Sequence, residues 1–120
     1  MLIRSQDKET LINFNNSIVV NIIDIEGVVK IICSYSCEDY IIGHYSTKAK
    51  AMKVLDMIQK AYADFEASKI TSTGLVIAAY TGSCDTPESA ACGIKALKGY
   101  VEMIRESVVF QIPEDSEVEE

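Results

Sequence analysis

Apolar and polar positions alternate in short runs through the first third of the chain, then settle into a helical period. Leu2–Ser5, Thr10–Phe14, Ser17–Asp24, Val28–Ser36 and Tyr40–Tyr45 each read as a strand. In the third run Ile18, Val20 and Ile22 share one face, while Val19, Ile23 and Ile25 lie in or near the other. Glu26-Gly27 predicts a tight turn in which the glycine supplies a positive φ, and Glu38-Asp39 predicts a second turn. A sheet apolar on both faces from Ile18 to Ile32 has to cover two surfaces. One packs on helices, and the other is most economically met by a neighbouring subunit.

From Thr47 the period lengthens. Met52, Leu55, Ile58, Tyr62 and Phe65 form the main apolar stripe of a helix running to about Ser68, with Ala51, Val54, Met57 and Ala61 as an adjacent stripe. An arc this wide meets two partners, either the other helix or another chain. Pro87 opens the second helix behind Thr86 as N-cap, and Ile94, Leu97, Val101, Ile104 and Val108 make its seam. Gly93 and Gly99, with Ala90, Ala91 and Ala96, smooth its surface for close approach by another helix or a ligand. Val108–Ile112 reads as a last edge strand before Pro113. Between the helices, Thr71–Asp85 is long for a connection, and Leu75–Tyr80 is too apolar to dangle; it either extends the first helix or docks as a strand. The predicted fold is α+β: an N-terminal antiparallel meander of four to five strands, two packed helices and a short C-terminal strand.

The 120 residues form one domain over 1–113, with an acidic tail over 114–120. Of eighteen carboxylates, five (Glu114, Asp115, Glu117, Glu119, Glu120) lie in that tail. The body is therefore near neutral, and the tail reads as a solvated extension. No basic, aromatic-interleaved stripe marks a nucleic-acid polymer as partner. No apolar run reaches the roughly 18 residues of a membrane span, and the N-terminus has no signal-peptide core, so a soluble cytoplasmic protein is expected.

Candidate chemistry is sparse. Cys33, Cys37, Cys84 and Cys92 fit no zinc spacing, so no metal and no cofactor is expected. His44 is the single histidine and is expected to be a hydrogen-bonded structural imidazole, not a general base. No P-loop, dinucleotide fingerprint or nucleophile elbow is present, and catalysis is not expected. Two features point instead to binding. Lys48, Lys50 and Lys53 crowd the start of the first helix, capped by Ser46 or Thr47, where the helix dipole prefers negative charge. Such a patch suits an anion. Tyr80, Thr81, Gly82 and Ser83 combine a stacking ring, hydroxyls and a glycine that lets backbone N–H groups approach a ligand before the second helix.

Leu2-Ile3-Arg4-Ser5-Gln6-Asp7, Leu11-Ile12-Asn13, Gly43-His44-Tyr45-Ser46-Thr47 and Ala51–Ile58 together resemble a group of small phage and prophage proteins of Gram-positive bacteria. Those that continue into a second helix look like the Thoeris anti-defence sponges. The resemblance implies a sheet followed by two helices, and dimers that assemble further into hexamers. It also implies sequestration of the cyclic ADP-ribose isomer made by a bacterial TIR-domain enzyme, with some members holding cyclic oligonucleotides. By position Tyr80, Ser89 and Arg105 match the family's aromatic ring, polar group and arginine. Glu88-Ser89 stands where the family has an asparagine. The resulting expectation is a homo-oligomeric sponge that binds a cyclic nucleotide without cleaving it, in the cytoplasm of the phage host. The alternatives are a phage inhibitor that blocks a host protein through its sheet face and acidic tail, and a structural module of a phage assembly.

Overall fold

The computed structural model describes residues 1–16, 19–81, 95, 98–102, 105 and 108–120, with the side chains of 72–81 excepted. The chain is α+β. Its elements run β1 (Leu2–Arg4), β2 (Leu11–Asn13), β3 (Val19–Ile25), β4 (Val28–Tyr35), β5 (Glu38–Tyr45), α1 (Lys48–Thr81), β6 (Val109–Gln111) and a 3-10 turn (Asp115–Glu117). The strands form two sheets, not one meander. β3-β4-β5 is the antiparallel meander, while β1 pairs antiparallel with β2 and parallel with β6. The two ends of the chain therefore share a sheet, with Leu2 beside Val109 and Arg4 beside Gln111.

Both hairpins of the meander use two-residue turns with positive φ at both central positions, whose twist matches that of the strands. Glu26 (φ 53°) and Gly27 (φ 81°) form the first, as expected. The second turn is Ser36-Cys37 (φ 49° and 69°), and Glu38 and Asp39 belong to β5, opposite Tyr35 and Ser34. The expectation of a Glu38-Asp39 turn is corrected by two residues. The cross-strand pairing of Tyr35 with Glu38 selects the earlier position.

The chain divides into two compact units, Met1–Tyr62 with Val109–Glu120, and Ala63–Val108. In the first unit Ile3, Ile12, Val29, Ile31, Cys33, Ile42, Tyr45, Ala51, Val54, Ile58 and Ile112 are buried. The helical stripe differs from the two expected ones: Ala51, Val54 and Ile58 are buried, whereas Met52 and Met57 are 46% and 42% exposed. Ala51, Val54 and Ile58 follow the 3-then-4 spacing that keeps one helix face inward.

In the second unit α1 runs on through Leu75–Tyr80 to Thr81, so this apolar stretch extends the helix. Tyr100, in a helical stretch, donates its hydroxyl to the Ser68 carbonyl at 3.3 Å. Of the second helix's predicted seam, Val101 is exposed and Val108 half-buried, while Ile94, Leu97 and Ile104 lie outside the described residues. So do its expected start at Thr86-Pro87 and Cys84 and Cys92.

Candidate functional site

The lysine-rich start of α1 already holds an anion, and it comes from the chain itself. Thr47 caps the helix, its hydroxyl oxygen accepting from the Lys50 N–H at 3.3 Å. Just before it, Asp115 Oδ1 accepts from the Ser46 N–H (2.7 Å) and the Ser46 hydroxyl (3.0 Å). Lys50 Nζ reaches Asp115 Oδ2 at 3.2 Å and the Asp115 carbonyl at 2.9 Å, and Lys53 Nζ donates to the Glu119 carbonyl at 2.7 Å. The bonds from Ser46 and Lys50, led by the Ser46 N–H, hold the Asp115 carboxyl below the usual aspartate range. Lys48 remains exposed. Of the three lysines expected to greet a ligand, two are engaged by the C-terminus.

That C-terminus is not a solvated extension. Ile112 and Val118 are buried, and Val118 sits in a groove with Lys53, Asp56 and Met57 of α1. The Tyr45 hydroxyl donates to the Pro113 carbonyl at 2.8 Å, and Gln6 Nε2 bridges the carbonyls of Pro113 (3.1 Å) and His44 (3.2 Å). Burial, then the nearby carboxylates of Asp115, Glu114 and Glu117, push the Tyr45 phenol well above its ordinary value, so it stays a neutral donor. Gly43 makes room for this tie. A Cβ there would come within 2.9 Å of Tyr45 Cε2 and 3.2 Å of both the Tyr45 hydroxyl and Ile112 Cγ2.

The expected ligand segment is only partly described. Tyr80 and Thr81 close α1, and their side chains lie outside the described residues, as do Gly82, Ser83 and Ser89 entirely. Arg105 is helical and exposed, and it makes no ion pair among the described residues. His44 corrects another expectation. Its backbone is tied to Gln6, but the residue is exposed and its ring makes no hydrogen bond among the described residues. Cys33 is buried, which pushes its thiol up to about 11 and leaves it a small apolar group. Among the described residues no cluster of His, Cys, Asp and Glu could hold a metal ion, and no helix is long and apolar enough to cross a membrane.

One feature escaped sequence reasoning. A cleft of about 250 Å³ opens between β2 and the β4–β5 hairpin, lined by Tyr35, Tyr40, Asn13, Asn16, Thr10 and Cys33, among others. It carries two partly exposed tyrosine rings and two amides, with no charged side chain in its lining. Rings and amides of this kind can stack on and hydrogen-bond a planar uncharged group. The signal was thin: Tyr35 and Tyr40 converge only because the intervening turn is two residues long. Compared with protein-family models, curated proteins and solved structures, the chain gives no match.

Proposed function

We propose that this protein is a phage anti-defence sponge. It binds a cyclic nucleotide immune signal, a cyclic ADP-ribose isomer, and holds it intact as a homo-oligomer in the cytoplasm of the host cell. The residues that resemble the Thoeris sponges motivate this reading. The observation that carries it is the exposed Arg105 guanidinium, which, like the exposed Arg4 and Lys48, makes no ion pair among the described residues, whereas Lys50 and Lys53 bond the chain's own C-terminal segment. A guanidinium in that state suits a pyrophosphate, which its planar fork meets with two parallel hydrogen bonds. Tyr80 would stack on the adenine, and the backbone N–H groups of Gly82 and Ser83, with Ser89, would complete the cradle. The test is to incubate purified protein with nucleotide extracts, heat it, and identify the released compound by mass spectrometry. An intact cyclic nucleotide is expected; a hydrolysed product, or none, overturns the reading.

A protein-binding inhibitor is the second reading, favoured by the exposed Val19, Ile25, Val28 and Ile41 on the outer face of the meander. In the acidic tail Asp115 and Val118 face their own domain, which leaves the exposed Glu114, Glu117, Glu119 and Glu120 to meet a partner.

A further inference from the structure

The two edges of the β3-β4-β5 sheet are treated differently. The β5 edge is engaged at Ile42 and His44 by Gln6, whose N–H donates to the Ile42 carbonyl and whose Oε1 accepts from the His44 N–H, both at 2.8 Å. The β3 edge has no backbone partner on its outer side among the described residues. It is seven residues long and carries no proline, lysine or bulge, the devices that usually guard an edge.

The Glu26-Gly27 turn decides which backbone groups face outward. In a two-residue hairpin the flanking pair, here Ile25 and Val28, exchanges the closing hydrogen bonds. Ile23, Asn21 and Val19 then bond inward to β4 as well. The N–H and C=O groups of Val20, Ile22 and Asp24 are left pointing away from the sheet.

We propose that a second copy of this chain adds its β3 antiparallel to this edge, about a two-fold axis at Ile22, to make one continuous sheet. In that register Ile22 meets the partner's Ile22, Val20 meets the partner's Asp24, and every outward N–H and C=O of the strand is paired. Side chains approach most closely at the intervening pairs. There Val19 (56% exposed) covers the partner's Ile25, and Ile25 (60% exposed) covers the partner's Val19. Charge selects this register. Centring the axis on Asp24 would oppose two like carboxylates, which destabilises a strand pair, and a slip of one residue would turn the paired groups to the wrong side. On the inner face, an apolar cleft of about 230 Å³ lined by Phe14, Val20, Leu55, Ile58, Gln59 and Tyr62 lies against the same edge. Joining two such edges removes the exposed Val19 and Ile25 side chains of both copies from solvent. The inference rests on the homo-oligomeric part of the proposed function and not on its ligand.

The test pairs light scattering with amide hydrogen exchange, using the full chain and the variant Val19→Lys/Ile25→Lys. Both replaced side chains are exposed in the single chain, so the fold is kept while the edge gains the charges that prevent pairing. The parent is expected to have a mass at least twice 13.2 kDa. Its Val20, Ile22 and Asp24 amides should be protected like those of Asn21 and Ile23. In the variant the mass halves and the three outward amides exchange at least about ten-fold faster, while Asn21 and Ile23 stay protected. A monomeric parent, free exchange of the outward amides in an assembled parent, or an unchanged variant overturns the proposal. Nucleotide binding measured on the same samples is a separate readout: its absence beside protected outward amides ends the sponge reading and leaves this one standing.

Discussion

Val118→Ala asks whether the acidic end of the chain is part of the folded domain. Val118 is 6% exposed in its groove on α1, and the change deletes two methyl-sized groups. At about 0.8 kcal/mol for each buried carbon, the lost transfer energy is about 1.5 kcal/mol. The added cavity term is small because Val118 lies in a surface groove, where its neighbours can settle into the space. In a domain of this length 1 kcal/mol moves the melting temperature by roughly 3–6 °C, so Val118→Ala should melt about 5–9 °C below the parent. Circular dichroism melting measures it, with Glu120→Ala, at an exposed position, as the control expected to stay within about 1 °C. A Val118→Ala melting point within about 1 °C of the parent would refute the docked C-terminus and return residues 114–120 to solvent.

Other perturbations probe the turns and the C-terminal contacts. Gly43→Ala forces a Cβ against the Tyr45 ring, whose hydroxyl holds the Pro113 carbonyl; urea unfolding should show a loss of about 1–3 kcal/mol. Cys37→Gly relieves a left-handed backbone at φ 69° and should stabilise by about 0.5–1 kcal/mol in the same assay, while Gly27→Ala, at φ 81°, should cost a similar amount. Acid should loosen the C-terminus. The lowered Asp115 carboxyl takes its proton less readily in the folded chain than in the unfolded one, so its contribution is complete above about pH 4 and is lost as pH falls through the lowered native value. Melting points between pH 7 and pH 2 should therefore fall less steeply for Asp115→Asn than for the parent.

The sheet was readable wherever alternation was strict and the pairing local. β3 and β4 appear within two residues of where the pattern puts them, β5 begins two residues earlier than expected, and Gly27 announces its own turn. Ser36-Cys37 did not, because neither residue carries the usual mark of a left-handed backbone. The pairing of β1 with β6 joins the two ends of the chain, and no local pattern encodes so distant a register. At the start of α1 the expected ligand anion is a different matter from what the lysines meet: Lys50 pairs with Asp115 of the same chain, a partner 65 residues away that no local pattern encodes. A single valine among the tail's acids was the clue, since Val118 had to be covered by something. For the ligand segment only Arg105 can be weighed by its exposure, because Gly82, Ser83 and Ser89 lie outside the described residues.

Isothermal calorimetry with the cyclic ADP-ribose isomer, on the parent and on Arg105→Ala, tests the sponge reading most directly. The parent should bind saturably. Loss of a charge-assisted, two-pronged contact should weaken binding by about 2–4 kcal/mol, or roughly 30- to 1,000-fold, with the melting point of the variant unchanged because Arg105 is exposed. No heat from the parent, or the same affinity in both proteins, would contradict it.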